Sequence, residues 1–172
     1  MPAEWTINMK RSESREQAFM LIFERSFKDE SIDEIIEQAA IGRNLQVDDY
    51  AYRLASDVCG NLPWLDEAIA SYSKKWKINR MSRVALSILR LSLWEIDHVD
   101  TVPAGASINE AVELAKKYGN DDDFSFVNGV LGAYVRRKDS SEQAGVEEKD
   151  ITNHGNAEAE KRGKTGRSGR IR

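Results

Sequence analysis

The segment from Met81 to Asp97 constrains the fold more than any other part of the sequence. Its apolar residues would cover most sides of a helix rather than a single stripe: Val84, Ala85, Leu86, Ile88, Leu89, Leu91, Leu93, Trp94 and Ile96. A helix of this kind is stable only when other elements surround it. We therefore expect a central, buried helix with the rest of the domain packed around it.

Helical patterns extend from about Ser12 to Lys138, where apolar residues recur every three or four positions. Helix starts are predicted where a capping residue or a proline precedes such a pattern: Ser14 with Gln17, Ser31 with Glu34, Asp48, Asn61 with Pro63, and Pro103. Gly42 and Gly119 are predicted helix ends, the second as a left-handed cap. A seventh helix is expected from about Asp123 to Lys138.

Strand patterns are absent, because no segment alternates apolar and polar residues between turn signals. The sequence therefore predicts an all-α class with about seven helices. Residues 139–172 have few apolar side chains and cannot bury enough surface to offset the entropy of ordering. We expect an N-terminal arm at residues 1–10, a helical domain at 11–138, and a disordered polar tail at 139–172 with a basic end.

Composition excludes several classes of function. The single cysteine, Cys59, rules out an internal disulfide and a cysteine-rich zinc site. His98 and His154 are the only histidines, and no P-loop, dinucleotide fingerprint or helix-borne metal motif occurs. We expect neither an enzyme nor a bound metal or cofactor. Without a membrane-spanning run or a signal peptide, a cytoplasmic protein is expected.

Four strings resemble those of the transcription antitermination factor NusB family, in the same order and at similar spacing. They are SREQA at residues 14–18, ILRLSLWE at 88–95, INEAVELAK at 108–116 and FVNGVL at 126–131. The resemblance covers about Arg11 to Arg137. It implies two small helical subdomains packed together. It also implies an RNA target, the single-stranded boxA element of ribosomal RNA leaders, and a protein partner, the ribosomal protein NusE, within an RNA polymerase elongation complex.

Basic residues near the N-terminus are the first candidates for RNA contact. Lys10, Arg11 and Arg15 could bind phosphates; Arg11 and Arg15 are four residues apart and would share a helix face. A helix N-terminus also offers free N–H groups to an anion. The alternative is an ordinary solvated helix start. The family often carries a denser arginine cluster here.

The acidic turn and the start of the seventh helix supply further candidates. Phe126 could stack on a base and Asn128 could bond a base edge, or both could serve the packing of the helices. Asp122 resembles a family position linked to RNA binding, where its charge would temper affinity, or it could cap the helix. Tyr72 aligns with a family aromatic near the RNA surface, although its spacing also fits the core.

Two alternatives to an RNA-binding factor follow from the same residues. The thinner arginine cluster fits a protein-interaction scaffold without an RNA role, such as a homodimer that covers this face. An RNA-modifying enzyme is disfavoured, because the residues after Lys138 are too few and too polar to form a cofactor domain. Arg90, among apolar neighbours, is predicted to pair with Glu95 or Glu110 as a structural contact.

Overall fold

The computed structural model describes residues 6–7, 9–43, 45–73 and 76–141. Within them the helices are α1 (Arg11–Arg25), α2 (Ile32–Arg43), α3 (Asp49–Gly60), α4 (Leu62–Tyr72), α5 (Arg83–His98) and α6 (Ala104–Tyr118), with a 3₁₀ turn at Ile78–Arg80. Residues 123–134 form a seventh helix, α7. The predicted all-α class is confirmed.

The chain divides into two compact units, Met1–Tyr134 and Val135–Arg172. In the second unit residues 135–141 are helical, and the hydroxyl of Ser140 donates to the carbonyl of Arg136 at 2.8 Å. Most of the predicted polar tail, with its basic end at residues 161–172, lies outside the described residues.

Helix α5 lies at the centre of the first unit, as its sequence predicted. It packs against α1, α3, α4 and α6, while α1, α2 and α3 also pack on one another. This grouping agrees with two helical subdomains joined through α5. The buried apolar side chains form one cluster to which all seven helices contribute, and Ile88, Leu89 and Leu93 of α5 have no exposed surface.

A short strand pair joins the N-terminal residues to the domain, which the sequence did not predict. Strand β1 (Thr6–Ile7) pairs in parallel with β2 (Val47–Asp48). The backbone N–H of Met9 donates to the Asp48 carboxylate at 3.3 Å, and Asp48 also caps α3 by accepting from the N–H of Tyr50 at 3.0 Å. Two residues are too few to show the alternation by which a strand is recognised.

Several helix boundaries differ from the prediction. Helix α1 begins at Arg11 rather than at Ser14, because the Glu13 carboxylate accepts from the N–H of Lys10 at 3.2 Å. Gln17, the expected capping partner of Ser14, instead reaches β2, where it accepts from the N–H of Asp48 at 2.8 Å. The Ser31–Glu34 capping box is present, with N–H to carboxylate at 2.7 Å.

Gly119 ends α6 as predicted, but not as a left-handed cap, since its φ is −94°. A Cβ there would lie 2.6 Å from the carbonyl oxygen of Ala115 and 2.8 Å from the Cβ of Asp123. Such distances are far inside van der Waals contact. Glycine is therefore required by close packing rather than by backbone conformation.

The predicted ion pair of Arg90 has a different partner. Its Nε and Nη2 donate to the two carboxylate oxygens of Asp66 on α4, both at 2.8 Å. The pairing with Glu95 or Glu110 was wrong, because Arg90 faces α4 whereas Glu95 is occupied by residues of α1, α3 and α6.

In the described part of the chain no helix is long and apolar enough to cross a membrane.

Candidate nucleic-acid interface

The predicted RNA-contacting residues lie at two ends of α5. At one end Ser82, which precedes α5, donates to Asp123, the first residue of α7. Near the other end, Glu95 of α5 binds Arg15 of α1. Ser82 and Glu95 are thirteen positions apart, which corresponds to about 20 Å of helix. The first turn of α1 is therefore set apart from the α6–α7 turn, although Glu16, in the second turn of α1, binds Lys117 and Tyr118 at the end of α6.

The basic start, defined as Lys10 and Arg11, is exposed at the N-terminus of α1. The guanidinium carbon of Arg11 lies 3.8 Å from the centroid of the Tyr50 ring on α3. A cation over an aromatic face is attracted by the ring's electron density, and guanidinium groups stack well on it. Arg11 is thus held in one place while its charge stays accessible to solvent.

Arg15 does not share this exposure. It is 6 % exposed, and its Nε donates to both oxygens of the Glu95 carboxylate, at 2.8 and 3.0 Å. Arg11 and Arg15 do lie on one face of α1, as their spacing predicted, but that face packs against α3 and α5. Only Arg11, at the end of the helix, reaches solvent. A phosphate contact by Arg15 needs an exposed guanidinium, so we remove it from the set of proposed contacts.

Glu95 joins four helices at the base of the basic start. Besides Arg15 it accepts hydrogen bonds from the hydroxyls of Tyr50 and Ser107, and it has no exposed surface. Burial, together with this hydrogen bond to Glu95, raises the pKa of Tyr50. The phenol therefore stays neutral and donates to Glu95 while its ring supports Arg11. Sequence reasoning missed Glu95 in this role because its partners are distant in the chain.

The acidic turn, defined as residues 120–123, connects α6 to α7. One Asp123 carboxylate oxygen accepts from the N–H of Asn120 at 2.9 Å and from the hydroxyl of Ser82 at 3.0 Å. Asp122 is exposed. Capping of α7 was the alternative considered for Asp122, whereas the carboxylate that closes this turn is that of Asp123. Asp122 presents negative charge at the surface.

Aromatic residues flank the start of α7. Phe126 is half-buried against the core, and its ring centroid lies 6.3 Å from that of Trp76, which is 54 % exposed. Tyr72 is half-buried and packs edge-on against Tyr134 at 5.2 Å. Asn128 is exposed. Asn128 is therefore accessible to a ligand, whereas Phe126 and Tyr72 are each partly used in packing.

Trp76 is a candidate that the sequence reasoning missed. Helix α4 ends at Tyr72, so Trp76 follows the helix instead of belonging to it. A signal was available: three lysines, Lys74, Lys75 and Lys77, surround this tryptophan. Basic residues interleaved with an aromatic are typical of single-strand binding surfaces.

Groups suited to catalysis are scarce in the described residues. Burial raises the pKa of the Cys59 thiol to about 11, so the thiolate nucleophile is not formed at neutral pH. The same residues contain no group of three His, Cys, Asp or Glu side chains that could hold a metal. The accessible groups of this surface are charged side chains and aromatic rings, and such groups suit binding.

Comparison with known proteins identifies the family. The sequence profile of the NusB family matches residues 12–136. The transcription antitermination protein NusB of Clostridium acetobutylicum is 40 % identical over 129 residues, covering 74 % of this chain and 96 % of that protein. That of Natranaerobius thermophilus is 41 % identical over 128 residues, covering 72 % and 92 %.

Solved structures share the fold. T. maritima NusB superposes with a TM-score of 0.65 at 31 % identity, covering 76 % of this chain and 93 % of that one. A chain from the crystal structure of antitermination factors NusB and NusE in complex with dsRNA has a TM-score of 0.65 at 25 % identity, covering 74 % and 96 %. The chain therefore belongs to the NusB family of transcription antitermination proteins.

Proposed function

We propose that this protein binds boxA-type RNA of ribosomal RNA leaders together with the ribosomal protein NusE, as a non-enzymatic, cytoplasmic component of an RNA polymerase elongation complex. The observation that carries the proposal is the basic start, whose exposed Arg11 is fixed on Tyr50 above the buried Glu95 network. A related chain occurs in a complex of NusB and NusE with dsRNA, which supports both partners.

Lys10 and Arg11 would bind phosphates, and the free N–H groups at the start of α1 would add to their attraction. At the other end of α5, Phe126 offers an aromatic face, Asn128 offers an amide for base edges, and Asp122 limits affinity through its negative charge. Tyr72 would contribute through its exposed edge. A single strand that touches both ends must extend along about 20 Å of protein surface.

Neither end needs to bind tightly by itself. NusE and RNA held on one scaffold each raise the effective concentration of the other, so the ternary complex is more stable than either pair. Contacts from NusE to RNA polymerase would then keep the RNA with the elongating enzyme. The net charge of −4 makes nonspecific binding to nucleic acid weak, which favours this dependence on a partner.

The test is the affinity for boxA RNA, measured by filter binding with and without NusE over a series of salt concentrations. We expect binding that NusE strengthens. The Lys10→Gln/Arg11→Gln variant should bind more weakly and with a shallower salt dependence, because about two phosphate contacts are lost. Arg43→Gln is the control, since Arg43 is exposed and pairs only with Glu24 among the described contacts. No RNA binding by the protein with NusE would refute the proposal.

A second candidate function is a protein-interaction scaffold without RNA binding, for which the exposed apolar residues on α1 and in the turn after it are the specific support. Met20 is 40 % and Phe27 60 % exposed, and with Phe23 and Leu45 they line an open cleft of about 480 Å³. In this case the protein would form a homodimer through the cleft. Sedimentation at several concentrations, with and without RNA and NusE, distinguishes the two functions.

A further inference from the structure

A second cleft lies directly beside the basic start, between α3 and the C-terminal end of α5. It has a volume of about 300 Å³ and is lined by residues that include Arg11, Tyr50, Asp57, Trp94 and His98. We call it the α3–α5 cleft. None of the contacts proposed above uses it, although Arg11 belongs to both the cleft and the basic start.

Aromatic rings form much of the lining. The rings of Trp94 and His98 are stacked, with centroids 3.7 Å apart and planes inclined by 12°. Trp64 meets both rings edge-on, at 6.2 and 5.7 Å. The Nδ1 atom of His98 lies 3.1 Å from the carbonyl oxygen of Trp94. The imidazole is therefore held parallel to the indole although His98 is exposed at the helix end.

The chemistry of the lining selects a planar, polar ligand that carries a negative charge. Flat rings favour stacking, the Asp57 carboxylate can accept from an amino group, and the Arg11 guanidinium attracts an anion. A nucleotide unit of RNA combines these properties in one molecule. Its phosphate would meet Arg11 where the proposed function already places the backbone.

We propose that the α3–α5 cleft receives one unpaired nucleobase of the RNA strand whose phosphates bind Lys10 and Arg11. The inference rests on the proposed RNA binding and adds to it a preference for single-stranded over duplex RNA. A base inside a duplex is stacked and paired, so it must leave the helix before it can enter the cleft. Single-stranded RNA therefore binds this face more tightly than duplex RNA of the same sequence.

The occupant is a base rather than an aromatic side chain of a protein partner, because two arginines line the cleft. Arg53, like Arg11, contributes to the lining and is exposed. An aromatic side chain could also stack on a guanidinium, but each base brings a phosphate on either side, whose charge Arg11 can bind; Arg53 already pairs with Asp49. Charge complementarity thus favours RNA.

The test compares two variants of the full-length protein. Asp57→Phe fills the cleft from an exposed position, and the backbone carbonyl of this residue can still accept from the Asn61 side-chain amide, as it does at 2.8 Å in the wild-type protein. His98→Ala removes the exposed ring of the stack. Glu37→Phe, exposed on α2, is the matched control for the change in charge and size. The probes are a single-stranded RNA containing 2-aminopurine, whose fluorescence falls on stacking, and a duplex of the same sequence.

We expect both cleft variants to bind the single strand about tenfold more weakly, a loss within the range measured for removal of one stacking partner. The fluorescence decrease at one 2-aminopurine position should disappear, while duplex affinity and the Glu37→Phe control stay unchanged. Unchanged single-strand affinity in both cleft variants, with binding still lost in Lys10→Gln/Arg11→Gln, overturns the inference and leaves the proposed function standing.

Two other outcomes also overturn it. If the cleft variants weaken binding of NusE and not of RNA, the cleft receives a protein side chain. If the wild-type protein binds no RNA even with NusE, the proposed function and this inference fail together.

Discussion

The basic start and the acidic turn both present charge to solvent, but they are held by different interactions. Beneath the basic start, the Glu95 carboxylate is fully buried and binds an arginine and two hydroxyls from three other helices. In the acidic turn, a half-buried Asp123 binds one backbone N–H and one serine, and a glycine allows close approach. The first arrangement supports the exposed side chain of Arg11 in a position to bind a ligand, whereas the second mainly closes a turn.

The strongest test of this difference is Glu95→Gln, which leaves the buried Arg15 without its counter-charge. Removing one member of a buried ion pair costs about 3–5 kcal/mol, and we expect a loss of that size in the free energy of unfolding in urea. Glu113→Gln is the control, because the Glu113–Lys116 pair is exposed and should contribute less than about 0.5 kcal/mol. Equal losses in the two variants would show that the Glu95 network does not anchor the basic start.

The acidic turn is tested by Gly119→Ala. The new Cβ would meet the Ala115 carbonyl, a backbone atom that cannot rotate away. We expect a loss of about 1–3 kcal/mol in unfolding free energy, as for other overpacked sites. Gly129→Ala, inside α7 with open space around it, should instead stabilise the protein by about 0.5–1 kcal/mol. A stable Gly119→Ala protein would mean that the turn can relax.

Two of the three aspartates of the turn, Asp122 and Asp123, separate its structural role from its binding role. Asp123→Ala removes an acceptor of two hydrogen bonds and should cost about 1 kcal/mol of stability. Asp122→Ala removes only an exposed charge, so its thermal unfolding should change little. If the proposed RNA face is correct, Asp122→Ala should raise boxA affinity roughly two- to fivefold, the size of an exposed charge interaction. A gain for Asp123→Ala alone would reverse the assignment.

The same contrast explains what the sequence could and could not predict. Local patterns located the helices, the Ser31–Glu34 capping box and the buried character of α5, because these depend on residues a few positions apart. The burial of Arg15 depends on Glu95, eighty residues away. Spacing within α1 correctly predicted that Arg11 and Arg15 share a face, but it carried no information on which helices pack against that face.

Errors at the helix boundaries have a similar origin. Gly119 was correctly identified as a helix end, but the wrong reason was given, because the constraint is the close approach of Ala115 and Asp123, four residues away on either side, and not a positive φ. Ser14 and Gln17 have capping spacing, yet Gln17 bonds to the chain at β2, 31 residues later, and the helix begins one turn earlier. The α3–α5 cleft likewise combines residues of three helices that no local motif joins.

Glu16 links the two regions, and its titration gives the smallest expected effect. Its carboxylate on α1 accepts from Lys117 at 2.6 Å and from the Tyr118 hydroxyl at the end of α6. These hydrogen bonds, that of Lys117 first, lower the pKa of Glu16 below its ordinary value of 4.5. A carboxyl group with a lowered pKa stabilises the fold fully above that ordinary value, and the contribution disappears as the pH falls through the folded-state pKa.

In urea unfolding between pH 7 and pH 3, wild type should therefore lose more stability than Glu16→Gln. The difference in unfolding free energy between the two proteins should be under about 1 kcal/mol at pH 7 and should close in acid. Lys117→Gln should reduce the acid sensitivity in the same way, since it removes the larger cause of the shift. A difference that stays constant across this range would mean that the charge of Glu16 does not join the end of α6 to α1, and that the basic start and the acidic turn are coupled only through α5.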